Sequence, residues 1–289
     1  MELATITPSM LGQKFSDKDK KGIHAAAQRV VEVHHKLAAW LRPGVTLAEI
    51  DRWVAKTLEE LGCRSCFLNY RVDRHPPFPS HSCLGVNDCV VHGTAGSHKP
   101  PIAPGDLVKI DIGVFFEGWV GDAGWTYVIG EPSPLAKRLT ACGKEALRRG
   151  VATLRPENRL RAFAEAVQGH VEKECGFHCI KNLGGHGYGR KLHGKPFVAN
   201  ALPGPADAPW PEANQLCGVG MLVAVEPMIG AGTGEVTTRP NPFNPRLSDW
   251  PVYTADGSLS VHYEHDVLVT EDGPWVLTHG MEEIKDIIG

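Results

Sequence analysis

No stretch of this 289-residue sequence approaches the roughly 18 consecutive apolar residues that a membrane-spanning helix needs, so an integral membrane protein is not expected. An excess of basic charge is also missing. Thirty Lys and Arg against 33 Asp and Glu leave a net charge of −3, and no polybasic surface invites nucleic acid or anionic lipid. The first residues, MELATITPSMLGQKFSDKDKK, contain no apolar core of a secretory signal, which points to a cytoplasmic chain. Cys63-x-x-Cys66 is followed by neither a second CxxC nor a His pair, so a zinc knuckle is not indicated. The eight cysteines are read as small free thiols in a cytosolic core. What remains is an ordinary globular composition, 42% apolar and 22% charged, in a length that suits one large domain.

Local signals place four helices. Ser16 and Asp19 form a capping box ahead of Ile23, Ala27, Val30, His34, Leu37 and Leu41 at helical spacing. Thr46 and Glu49 open a second helix through Ile50, Val54, Leu58 and Leu61, with Gly62 as its C′ residue. Ser133-Pro134 starts a third, and Asn158 is expected to cap a fourth through Leu160, Phe163, Val167 and Val171, ending near Gly176. Each pair contains a Leu-Arg-Pro, at Leu41 and at Leu154, and each leads into short strands. This repeat predicts an α+β domain of two related halves, about 16–130 and 131–289, behind an N-terminal extension of residues 1–15. Proline-rich segments at 71–81, 196–215 and 233–250 are expected to be loops, the kind of segment that borders functional sites.

The chemistry is signalled by acids in apolar surroundings. Asp111, Asp122, Glu226 and Glu264 lie in or beside LVKIDIG, GWVGDAGWTYVIG, GMLVAVEPM and SVHYEHDVLVT, and His186 lies in NLGGHGYG. Burying an unpaired carboxylate costs many kcal/mol, and few Lys or Arg stand nearby, so an added cation is the economical partner. In the first strand Val108, Ile110, Ile112 and Val114 form one face and Asp111 the other. A two-residue turn at Glu117-Gly118 would set Asp111 opposite Gly124 and Asp122 opposite Gly113. The two aspartates are then diagonal neighbours, about 7–8 Å apart at the backbone, a spacing that suits a cation pair about 3.5–4 Å apart. The segment SVHYEHDVLVT is read as one strand with His262, Glu264 and Asp266 on a common face. The glycines around His186 are read as letting the backbone approach a ligand or metal. A ligand set rich in oxygen with one imidazole suits Mn, Fe, Co or Zn.

The phrases VNDCVVHG, PGDLVKIDIG…GWVGDAGWTYVIG, GGHGYGRKLHGKP, GMLVAVEPM and SLSVHYEHDVLVT, in this order, resemble those of the type I methionine aminopeptidases, enzymes of the pita-bread fold. The resemblance implies a curved central sheet around two divalent metal ions, drawn from Co, Mn, Fe, Zn and Ni. It implies Asp111, Asp122, His186, Glu226 and Glu264 as ligands, with Asp122 and Glu264 bridging. It adds His92 and His193 as non-ligand catalytic residues, with Glu226 as proton shuttle. Cys66, Phe78, Cys83, Leu192 and Trp250 are implied as the methionine pocket. The implied reaction is removal of the initiator methionine from peptides and from nascent chains at the ribosome, by a monomer. The sequence departs from the family's usual pattern at Asn69, Tyr70, Gly194-Lys195-Pro196 and His262, which bear on selectivity. Two rivals are a pita-bread aminopeptidase of other specificity, such as a proline-specific enzyme, or creatine amidinohydrolase, both usually with a larger N-terminal domain than the roughly 16 residues ahead of the first helix here. A third is a pita-bread binding protein that has lost catalysis, which the presence of all five ligand types opposes.

Overall fold

In a computed structural model of the chain, the described residues are 14–72, 75–240 and 248–289. Most of the expected N-terminal extension and parts of the loops at 71–81 and 233–250 lie outside them. Four helices form: α1 (Asp17–Trp40), α2 (Leu47–Glu60), α3 (Pro134–Ala152) and α4 (Arg161–Gln168). Both capping boxes are made as the sequence predicts. Asp19 N–H donates to Ser16 Oγ, and Asp19 Oδ2 accepts from Ser16 N–H. Thr46 and Glu49 do the same for α2. Asn158 does not cap α4. Its side-chain amide instead donates to Thr153 O at 2.9 Å, and α4 begins after Leu160 with no side-chain cap. The helix continues through a π-helical turn, Gly169–Glu174, and ends at Gly176 with a φ of 71°.

The strands are short apart from one hairpin. In the first half they are β1 (Arg64–Ser65), β2 (Cys83–Val86), β3 (Cys89–Val91), β4 (Leu107–Phe116) and β5 (Trp119–Ile129). The second half adds β6 (His178–Cys179), β7 (Gly184–Gly187), β8 (Gly194–Ala199), β9 (Leu222–Val225) and β10 (Met228–Gly230). Then come β11 (Val236–Pro240), β12 (Ser248–Thr254), β13 (Ser260–His262), β14 (His265–Thr270), β15 (Gly273–Val276) and β16 (Ile287–Ile288). Two expected loops are therefore partly strand. Residues 196–199 extend β8, and β11 and β12 pair antiparallel within and beside 233–250.

The β4–β5 hairpin has the predicted register, Asp111 opposite Gly124 and Gly113 opposite Asp122. Its turn residues, Glu117 and Gly118, have φ of 47° and 84°, the positive values a two-residue hairpin turn requires. Both faces of β4 are buried, because α1 covers one and the second half covers the other. The halves are knitted together. The C-terminal β16 pairs parallel with β5, and β3 pairs with β12.

The expected single strand over 260–270 is broken. The chain leaves β13, which pairs with β10, and enters β14, which pairs with β9 in another sheet. Tyr263 and Glu264 form the crossing, with Glu264 N–H donating to Gly124 O at 2.9 Å. The glycines of β7 also have a different role from the expected one. A Cβ on Gly185 would lie 2.2 Å from Ala224 O, and one on Gly187 2.0 Å from Lys195 O. They admit neighbouring strands, not a ligand. Among the described residues, no helix is long and apolar enough to cross a membrane, and the eight cysteines are free.

Candidate metal centre

The four acids and His186 converge where the two halves meet. Asp111 and Asp122 come from the hairpin, His186 from β7, Glu226 from the turn after β9, and Glu264 from the crossing between sheets. All five are no more than 9% exposed. Two of the supporting contacts fix their backbones. Asp122 N–H donates to Asp266 Oδ2 at 2.8 Å, and Asn200 Nδ2 donates to Glu226 O at 3.0 Å. Gly124 keeps the floor open, since a Cβ there would lie 3.1 Å from Glu264 Oε2.

No Lys or Arg pairs with these acids among the described residues. Their ionic neighbours are histidines. His186 Nε2 is 3.9 Å from both Asp122 Oδ2 and Glu226 Oε1. His262 Nε2 is 3.2 Å from Glu226 Oε2 and 3.9 Å from Glu264 Oε2. Lys109, two residues before Asp111, is buried but spends its ammonium on the carbonyls of Asn87 and Ser260. Burial lowers its pKa to about 8.

Without a cation the site is electrostatically unfavourable. Burial, then the Asp122 and Glu226 charges, raise Asp111 well above the ordinary carboxylate value. Burial and Glu226 raise Asp122, and burial with Asp122 and Asp111 raises Glu264. Oδ1 of Asp111, Oδ1 of Asp122 and Nε2 of His262 are buried without a hydrogen-bond partner among the described residues. Orphaned acceptors on crowded carboxylates are what divalent cations satisfy. The donor set therefore fits a metal. His186 is already in ligand form. Its Nδ1 lies 3.1 Å from Gly187 O, which can only accept, so Nδ1 carries the proton and Nε2 is bare. Burial lowers its pKa to about 4, which keeps the ring neutral.

A cavity of about 470 Å³ opens above this cluster. Phe78, Cys83, Leu192, Trp250, His92 and His193 line it together with the four acids and His186. Cys66 does not. It lines a larger neighbouring cavity of about 1020 Å³ that shares Tyr70, Leu192 and His193 with the first. Trp250 is fixed by donating Nε1–H to Pro76 O at 2.8 Å and packs edge-on against Phe78. His92 has a φ of 56°, a left-handed conformation that a non-glycine residue holds only where its surroundings impose it. Its pKa is lowered to about 4, chiefly by burial.

His193 stands at the mouth with one edge in solvent, its ring 4.2 Å from that of His186. Burial of the rest of the ring, and then His186, lower its pKa, an effect that solvent at the free edge moderates. His193 Nδ1 is 2.6 Å from Tyr70 Oη. Two members of the site carry weak signals in sequence. Tyr70 sits in an irregular segment and His262 shares a face with Glu264, both noted there only as departures bearing on selectivity, and His262 packs directly against two of the acids.

Three comparisons bear on this geometry. The model of metallopeptidase family M24 matches residues 21–271. The methionine aminopeptidase of Aquifex aeolicus is 35% identical over 269 residues, 91% of this chain and 97% of that protein. Methionine aminopeptidase 1 of Mycobacterium tuberculosis is 34% identical over 89% of this chain and 91% of its own length. Among solved structures, the methionine aminopeptidase of Thermotoga maritima superposes with a TM-score of 0.80 at 28% identity, covering 92% of this chain and 98% of that one. The prolidase of Pyrococcus furiosus shares the fold at a TM-score of 0.67 and 21% identity, and this chain spans 64% of it.

Proposed function

The chain belongs to metallopeptidase family M24, and on that premise we propose how its buried acids remove an N-terminal methionine. The protein is a pita-bread metalloaminopeptidase, a hydrolase of the methionine aminopeptidase group. The observation that carries the reading is the set of crowded, unpaired carboxylates beneath an apolar cavity of side-chain size.

Asp111, Asp122, His186, Glu226 and Glu264 would hold the two divalent ions, Asp122 and Glu264 serving both. Glu264 has oxygens in reach of both Asp122 with His186 and Glu226 with His262, which suits a shared ligand. When bound, the ions supply positive charge that acidifies a water and polarises a carbonyl.

The protein's own groups do the rest. Glu226 takes the proton of the attacking water and passes it to the leaving amine. His193 Nδ1 is hydrogen-bonded to Tyr70 Oη, and with the phenol as donor the imidazole presents an Nε2–H to the oxygen that gains charge. Neutral His92 contacts the scissile amide nitrogen. Phe78, Cys83, Leu192 and Trp250 receive the methionine side chain, whose polarisable thioether suits an aromatic and sulfur-lined wall. Cys66 supports this wall from the adjoining cavity. Substrates are methionyl peptides and nascent chains met in the cytoplasm, near the ribosome, and the enzyme acts as a monomer. Co, Mn, Fe, Zn and Ni compete for the site by availability as much as by ligand set.

The test is release of free methionine from a panel of Met-Xaa peptides by metal-free protein given Mn, Fe, Co, Zn or Ni separately. Turnover restored by metal and favoured by small Xaa is the expected result. Metal-independent turnover, or full activity in Glu226→Ala, overturns it.

A further inference from the structure

We propose that Cys142, His170 and Cys175 form a second metal site, apart from the catalytic centre, that binds zinc. Cys142 comes from α3, His170 from the π-helical turn and Cys175 from its C-terminal cap. One ligand atom from each lies within 4.8 Å of the others, and Cys175 Sγ is 3.4 Å from His170 Nε2.

The π-turn makes this possible. Cys175 N–H donates to His170 O at 3.0 Å, the i→i+5 bond of a π-helix. In an α-helix five residues turn through about 500°, leaving the two side chains roughly 140° apart. The wider turn stacks them on one side instead. Such turns recur at functional sites.

A second, independent observation is the orientation of the imidazole. His170 Nδ1 lies 3.0 Å from Glu174 Oε2. A carboxylate only accepts, so Nδ1 carries a proton and Nε2 is the nitrogen nearer the sulfur. Glu174 is in turn held by Arg149 Nη1 at 2.7 Å. This carboxylate–histidine arrangement is the usual support of a metal-binding imidazole, and it repeats the tautomer found at His186.

The chemistry of the donors selects the ion. Two sulfurs and one nitrogen favour zinc over the harder ions that the oxygen-rich centre accepts. On binding, each thiol releases its proton to solvent as its sulfur joins the ion. Two thiolates and a neutral imidazole then balance the +2 charge, which suits Cys142 and His170 at 3% and 8% exposure. Cys175 is half-buried.

The experiment titrates the full-length, reduced, metal-free protein with Co²⁺ alone and reads the near-ultraviolet thiolate-to-cobalt charge-transfer band. The band is expected in the wild type, in Glu264→Ala and in Cys83→Ser, and is expected to vanish in Cys142→Ser and Cys175→Ser. Zn²⁺ should bleach it, with an affinity about tenfold weaker in Glu174→Gln, a surface change that leaves the fold intact. No band in the wild type, a band that survives Cys175→Ser, or one that vanishes with Glu264→Ala overturns the assignment. These outcomes are independent of peptidase activity.

Discussion

Tyr70 Oη lies 2.6 Å from His193 Nδ1, so a tyrosine from the irregular segment after β1 holds a mouth histidine through a hydrogen bond to one ring nitrogen. The phenol has a proton to give, and Tyr70's own pKa is raised by burial, which keeps that proton in place. Replacing Tyr70 by Phe removes the bond and leaves the His193 ring free to turn. The expected loss is on the order of tenfold in kcat, the size of one hydrogen bond, with KM nearly unchanged. Steady-state kinetics on a Met-Ala peptide check it, and a change confined to KM would sink the positioning role.

His262 stands 3.2 Å from Glu226 and 3.9 Å from Glu264, and the chain holds it there through mutual bonds with Thr126. An imidazole beside two carboxylates proposed as ligands steers their free oxygens. His262→Ala should weaken binding of the divalent ion by about 10- to 100-fold while the apo protein keeps its fold. Competition with a metal indicator measures this. An unchanged affinity refutes it.

Stability without metal should fall as pH rises above 6.5, the ordinary His value. The sign follows from proton counts. Asp111, Asp122, Glu264 and Asp266 have raised pKa values, so near neutrality the folded state holds protons that the unfolded state has lost. Stability then drops with increasing pH. Below 6.5 the buried His34, His92 and His186, each lowered to about 4, push the other way and mask the effect. Above about 8, Lys109 opposes it as well. Thermal melts of metal-free protein between pH 6.5 and 8 should therefore show a falling midpoint. Divalent ion should flatten or reverse the slope, because it displaces those protons. A rising midpoint without metal would contradict the raised carboxyls.

Gly185 is a packing requirement beside His186. A methyl group there meets Ala224 O at 2.2 Å, a backbone atom that cannot swing aside. Gly185→Ala should cost on the order of 2–3 kcal/mol in urea unfolding and displace His186. Wild-type stability in this variant would show that β7 and β9 have room to part.

Much of the site is legible before folding because short-range rules govern it. The capping boxes at Ser16 and Thr46 need only three residues of separation, and they are made. The Glu117-Gly118 turn fixes the register that brings Asp111 and Asp122 to one face. The same local logic fails at Asn158, where Thr153 O competes for the side chain. It fails again over 260–270, where alternation alone describes one strand and the chain forms two. Tyr70 belongs to the site for a reason that no nearby residue announces, since His193 is 123 positions away, and the contact of His262 with Glu226 spans 36 positions.

The sequence by itself determined the starts of the first three helices, the hairpin and the excess of buried acid that calls for a cation. Each depends on hydrogen bonds and side-chain periods spanning a few residues, which any local conformation must respect. Only the tertiary structure decided that the chain changes sheets at Tyr263–Glu264, that β16 closes on β5, and that a π-turn sets His170 beside Cys175 and Cys142. Those outcomes depend on which distant surfaces exclude water together, and the loss of chain entropy on closing such long loops is offset only by packing that forms with the whole fold.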